Sequence, residues 1–94
     1  MEYEVKVSEK SLYIGESPLA AIAALDYYIN RKGIIVATHT EVSKEHRGKG
    51  LAVLLFKRLI ALAEEKDTKI LPYCSYISEM LDKPEYSIYL YKKF

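Results

Sequence analysis

The residues best equipped for chemistry lie in a charged stretch, "EVSKEHRGKGLA" (41–52), which runs directly into the apolar segment "LAVLLFKRLIALAEE". Gly48, Gly50 and Ala52 are small, and Lys44, His46, Arg47 and Lys49 surround them with positive charge. If a helix starts here, its first N–H groups have no partners inside the helix and carry partial positive charge. Small side chains then let an anion reach the backbone itself, and pyrophosphate is a suitable guest. The stretch is not a nucleoside-triphosphate loop, because G-K-(S/T) is absent. It is not a dinucleotide fingerprint either, because G-x-G-x-x-G fails at its last position. On the residues alone, an anion cradle and an ordinary glycine-rich turn with surface cations both stay open.

Two further side chains stand out. Cys74 is the only cysteine, set between "KILPY" and "SYISEML". At a helix N-terminus its thiolate is favoured over the thiol, whereas buried in apolar surroundings it is inert. His39, in "THT", titrates near ~6.5 when unperturbed and so suits proton transfer from an ammonium or a thiol. The alternative is a histidine satisfied between strands, with Thr38 and Thr40 as plain strand formers. In a regular strand Glu41 projects to the same face as His39. Tyr73 and Tyr76 flank Cys74, in reach of whatever it contacts. Tyr27, Tyr28, Tyr89 and Tyr91 read as core or edge-strand aromatics.

Elements that position these residues follow from periodicity. "EYEVKV" (2–7) alternates charged and apolar residues and reads as a strand, and "SLYIGE" reads as a second. "GESP" marks a turn. The alanines of "LAAIAALDYYIN" favour helix, but its second half alternates and reads as strand. "GIIVATHTEV" is rich in β-branched residues and is a strand. Residues 49–65 form a helix with Leu51, Leu55, Leu59 and Leu62 on one face. Lys57, Arg58, Glu64 and Glu65 are its solvent positions. "KILPYC" is a short buried strand stopped by Pro72, and Ser75 is an N-cap candidate for a short helix that Pro84 ends. "YSIYLYKKF" fits a strand or a helical turn equally. The whole is one α+β (mixed α/β) domain, 1–94: a largely antiparallel meander, a β-α-β unit and a short C-terminal helix.

Composition narrows the function classes. Of 94 residues, 29% are charged, yet the formal net charge is +1, which gives no reason to expect nucleic-acid binding. The runs "LAAIAAL" and "LAVLLF" are too short to cross a bilayer, so no membrane partner is expected. A lone cysteine excludes a disulfide scaffold. With no apolar signal core in "MEYEVKVSEK", a cytoplasmic setting is the expectation. No metal is expected.

"R-G-K-G-L-A" resembles the (Q/R)-x-x-G-x-(G/A) motif of the GNAT acetyltransferase superfamily, in which the loop between the fourth strand and the next helix binds the pyrophosphate of acetyl-CoA. With "THTEVSKEHRGKGLA", "KILPYCSYI" and "KPEY" in that order, the chain is similar to small stand-alone GNAT-like proteins of the YjdJ type. Lys49 stands where that group usually has Gln. The resemblance covers most of the chain, most strongly Thr38 to Tyr86. It implies a phosphate loop of Arg47, Gly48, Lys49, Gly50, Leu51 and Ala52. It also implies a pantetheine arm of CoA pairing with backbone near Glu41–Ser43, against Val42. His39 falls in the active-site pattern. Cys74 falls near the thioester, as nucleophile, as proton donor to the CoA thiolate, or as pocket lining. Glu41, Tyr73 and Tyr76 would line the substrate pocket. The implied activity is acetyl transfer from acetyl-CoA to an unidentified amine, directly or through Cys74. The alternative is a CoA-binding module without turnover. An acceptor site in so short a domain would be open, or completed by a partner or a second subunit.

Overall fold

A computed structural model describes residues 3–92. Five strands form one sheet in the order β1 (Lys6–Val7), β2 (Ser11–Gly15), β3 (Ala21–Ile29), β4 (Ile35–Val42) and β5 (Ile70–Pro72). The first four are antiparallel neighbours. β5 lies parallel to β4 after a crossover through helix α1 (Leu51–Glu65), and helix α2 (Ser75–Leu81) follows it. This is the expected meander followed by a β-α-β unit.

Several boundaries differ from expectation. Only Lys6 and Val7 pair as β1, opposite Tyr13 and Leu12. Tyr3 and Val5 still pack on the core, while residues 1 and 2 of the expected strand lie outside the described residues. Gly15 has φ +136, and an added Cβ would meet the Ala20 carbonyl at 2.8 Å, so only glycine fits this corner. In "LAAIAALDYYIN" Leu19 and Ala20 end a single 3-10 turn (Pro18–Ala20), and the strand begins at Ala21. Ala23, Leu25 and Tyr27 are buried on one face, and Ile22, an extra residue opposite Ile14 and Gly15, also packs on the core, so burial overrides alanine's helix propensity. Helix α1 begins at Leu51 rather than Lys49, because Gly50 sits at φ +76, outside helical space. α2 is capped by Cys74 rather than Ser75: the Cys74 carbonyl accepts the first helical bond, from Ser78 N–H at 2.9 Å.

The core lies between the sheet and α1. Leu51, Leu55, Leu59 and Leu62, with Phe56, meet Leu12, Leu25, Ile35 and Ile70, all buried. Phe56 also takes the Tyr86 ring edge-on at 4.9 Å, a geometry aromatic pairs favour. Arg58, expected in solvent, is half-buried and lies 3.5 Å from Glu65. The tail uses both readings. Ser87–Tyr89 is a single helical turn, after which Leu90 bridges to Ile70 and Tyr91 N–H donates to the Ile70 carbonyl at 2.8 Å. The chain's own tail thus occupies the outer edge of β5 at Ile70.

One irregularity shapes the centre of the sheet. Asp26 pairs with His39 but Tyr27 pairs with Ala37, so Thr38 is an extra residue in β4, a β-bulge. Its hydroxyl donates to the Asp26 carbonyl at 3.2 Å.

Candidate active site

Pairing of β4 with β5 runs only from Ile35↔Ile70 to Ala37↔Pro72, ending in a bond from Tyr73 N–H to the Ala37 carbonyl at 2.8 Å. Beyond it β5 turns into α2, while β4 continues to Val42 with β3 as its sole ladder partner. The result is a seam with one edge of β4 exposed. Ser43 N–H donates to the Ile22 carbonyl at 2.7 Å, on the β3 side. By alternation, the main-chain groups of Val42 and Thr40 face the other way, into the seam. The Val42 carbonyl accordingly accepts from Arg47 Nε at 3.1 Å, which ties the loop back to the strand end.

The loop between β4 and α1 is ordered by a short turn in which His46 Nδ1 and Ser43 Oγ are 2.7 Å apart. Gly48 and Gly50 follow at φ +82 and +76, and a Cβ added at either would meet no atom within 4 Å. These glycines are needed for their backbone angles, and they leave the space above the loop open. At the start of α1 no side chain caps the helix and no acidic residue stands in the first turn. Its first N–H groups are thus free for an anion. Lys44, Arg47 and Lys49 are exposed around it. A cleft of about 220 Å³ connects this loop to the seam, lined by Val42, Gly48, Gly50, Leu51, Ala52 and Tyr76 among others. Of the expected loop residues, Arg47, Gly48, Gly50, Leu51 and Ala52 line this cleft with Val42, whereas Lys49 does not.

Cys74 stands at the head of the seam, where its Sγ lies 3.4 Å from Thr40 Oγ1. Burial pushes the thiol up. Hydrogen bonds from the Thr40 hydroxyl and from the backbone of Ile77, Tyr76 and Thr40 outweigh it and hold the thiol below its ordinary value. Tyr76 shares the cleft, and its buried hydroxyl has no hydrogen-bond partner among the described residues. Burial first, then the neighbouring Cys74 and Tyr86, raises its pKa, so it stays protonated.

His39 and Glu41 are elsewhere. Thr40 shares a face with its partner Leu25, which belongs to the core, so His39 and Glu41 project from the opposite face. There His39 Nε2 is 3.7 Å from Glu41 Oε1, as strand alternation predicted, with side chains 62% and 73% exposed. His39 and Cys74 form no pair: they flank the seam from opposite sides, and the thiol bonds to Thr40. Tyr73 also separates from Tyr76, being exposed on the open face beside Tyr28, Tyr91, Val36 and Leu71. Thr40 was legible only as a strand former. Its role follows from where β5 stops, which the residues of β4 do not encode.

A split sheet beside an uncapped, glycine-opened helix start is the architecture of an acyltransferase domain. The chain belongs to the GCN5-related N-acetyltransferase family, whose model matches residues 3–89, and it is an acetyltransferase by that membership. It is similar in structure to a protein from Staphylococcus aureus described as GCN5-like. That likeness has a TM-score of 0.71 and 32% identity, over 97% of this chain and 89% of the other. Its fold also resembles a ribosomal-protein-alanine N-acetyltransferase from Brucella melitensis biovar Abortus, with a TM-score of 0.56 and 21% identity over 93% and 67% of the two chains. No curated protein sequence matches it significantly. Among the described residues, no helix is long and apolar enough to cross a membrane.

Proposed function

We propose that the chain transfers an acetyl group from acetyl-CoA to an amine. The observation that carries this reading is the unpaired edge of β4 leading into a glycine-opened helix start. The open space above Gly48 and Gly50 suits a pyrophosphate, and the Val42 N–H and Thr40 carbonyl, turned away from β3, suit the amides of a pantetheine arm. Bound acetyl-CoA would supply an activated acyl group as a thioester. The Thr40 N–H, which faces the seam and is shared with the Cys74 sulfur, would stabilise negative charge on the reacting carbonyl oxygen beside that sulfur. His39, oriented by Glu41, would take the proton that the amine must lose. Tyr76 would return a proton to the departing sulfur.

A second route has one observation in its favour, the lowered Cys74 thiol. The Cys74 thiolate would attack the thioester carbonyl and expel the CoA thiolate, and the amine would then attack acetyl-Cys74 and regenerate the thiol. Calorimetric titration with CoA tests the shared premise, and no heat at millimolar CoA overturns both routes. Intact mass after incubation with acetyl-CoA separates them. A gain of one acetyl group that disappears in Cys74→Ala supports the covalent route. Unlabelled protein that still releases CoA thiol in the presence of amines supports direct transfer. CoA binding without acetylation of any amine would leave a binding module.

A further inference from the structure

We propose that the sheet face opposite α1 is the acceptor track, and that it fits an extended peptide. The peptide's N-terminal amine would lie at His39, with an acidic side chain about four residues further on against Arg31 and Lys32. This rests on the acetyl transfer proposed above.

Helix α1 covers one face of the sheet, and the other carries a continuous run of side chains. Tyr28, Val36 and Leu71 form a row across β3, β4 and β5, fixed by their pairing. Tyr28 and Tyr73 are 47% and 66% exposed, while Val36 between them is 1% exposed. Together with Tyr91 these rings wall a groove of about 370 Å³ with an aliphatic floor. Toward the seam, the next row holds Asp26 opposite His39, and the one after it Ala24 opposite Glu41. At the far end the groove is lined by Arg31 and Lys32. Among the described residues neither makes an ion pair. Asn30 Oδ1 accepts from Lys32 N–H at 2.9 Å and Ile34 N–H at 3.0 Å, so the hairpin presenting them is ordered.

The track is therefore polarised: carboxylates and the candidate base at the seam, tyrosines and aliphatics in the middle, cations at the hairpin. Measured along β3, Asp26 opposite His39 to Asn30 opposite Ile34 is four residues, roughly 13 Å at about 3.3 Å each, which matches an extended peptide whose fifth residue reaches the hairpin. A polyamine or aminoglycoside would set positive charge against Arg31 and Lys32 and leave the tyrosine walls unused. A peptide with a free amine, apolar residues and then an acid complements every part.

The test uses two hexapeptides with N-terminal alanine and an apolar middle, differing only in Asp or Lys at the fifth residue and fluorescently labelled at the C-terminus. Binding by anisotropy without acetyl-CoA reads the groove alone. The Asp peptide is expected to bind roughly tenfold more tightly, with the preference inverted by Arg31→Glu combined with Lys32→Glu. In turnover the same preference should appear in KM with kcat unchanged. Equal binding of the two peptides overturns the proposal, as does a preference that survives the double substitution. So does a dimer in sedimentation that Tyr28→Asp dissociates, since a second copy would then occupy this face. CoA calorimetry on the same sample reports separately on the acetyl-transfer reading: CoA binding without peptide discrimination removes the acceptor track alone.

Discussion

If Gly50 is small for the sake of a ligand, its substitution should cost affinity beyond any cost in stability, and the molecule contains its own control. Gly50 lies at φ +76 at the start of α1, and Gly33 at φ +79 in the hairpin between β3 and β4. An alanine Cβ at either position meets no atom within 4 Å. Gly50→Ala and Gly33→Ala therefore suffer the same penalty, an L-residue held in left-handed space, about 1–2 kcal/mol. In a domain of this size each kcal/mol moves Tm by roughly 4–8 °C, so both variants should melt about 4–16 °C lower. Their CoA affinities should diverge. The Gly50 methyl enters the space where the phosphates would approach the helix N–H groups, and a loss of tenfold or more corresponds to at least ~1.4 kcal/mol. The Gly33 methyl points into solvent elsewhere. Melting followed by circular dichroism gives the first quantity, and calorimetric CoA titration well below both Tm values gives the second. Wild-type affinity in Gly50→Ala would refute the phosphate-loop assignment. An equal loss in Gly33→Ala would show that affinity merely follows stability.

Other expectations follow from the same geometry. Thr40→Val removes one of the hydrogen bonds that favour the Cys74 thiolate, so the pH midpoint of Cys74 alkylation by iodoacetamide should rise; an unchanged midpoint would assign the lowering to the backbone donors alone. Because the folded thiol is lowered, its stabilising contribution is present above the unfolded thiol pKa and lost as pH falls through the folded one, a window Thr40→Val should narrow. Tyr76→Phe removes a buried hydroxyl that lacks a partner among the described residues, so Tm should hold or rise by the equivalent of about 1 kcal/mol. Its kcat should nevertheless fall roughly 10²-fold, and full activity would exclude it as proton donor. Gly15→Ala adds a clash with the Ala20 carbonyl to its backbone strain, so it should cost roughly 3 kcal/mol or more. Thermal unfolding no lower than that of Gly33→Ala would mean the corner relaxes.

Periodicity in the sequence was enough for the order of elements and the leucine face of α1, because burial on one face imposes it directly. It was not enough for β3, where alanine's local preference and the strand's alternation conflict and contact with α1 decides. The phosphate loop was legible because it is contiguous: small residues, cations and a helix start lie within a dozen positions. The remainder of the site is assembled from distant segments. Pro72 in "KILPYCSYI" marks where β5 stops, but nothing in that segment indicates that β4 runs on beyond it to Val42, and from that difference in length follows the exposed β4 edge beside Cys74. Tyr28 looked like an ordinary edge aromatic, since its groove exists only once β5 and the tail bring in Leu71, Tyr73 and Tyr91.

The separation of His39 from Cys74 depends on one residue. In a strand without irregularities, His39 would share a face with Ala37, which is fully buried, and Thr40 would face solvent. Thr38, the extra residue, reverses this, because a slip of one residue moves every later side chain to the opposite face. Up to Ala37 the odd-numbered residues face α1; from His39 onward they face the open side, and Thr40 and Val42 take the inner positions. The same bulge bends the strand where its pairing with β5 ends. With β5 stopping at Pro72, this one insertion turns Thr40 to the side of Cys74 and directs His39 and Glu41 to the opposite side. For a transfer between two bound molecules this division has a chemical logic. In the proposed transfer the groups assigned to the sulfur, Cys74 and Tyr76, would lie on the helix side and the group assigned to the nitrogen, His39, on the open side, so an amine would reach the thioester carbonyl without competing with CoA for space.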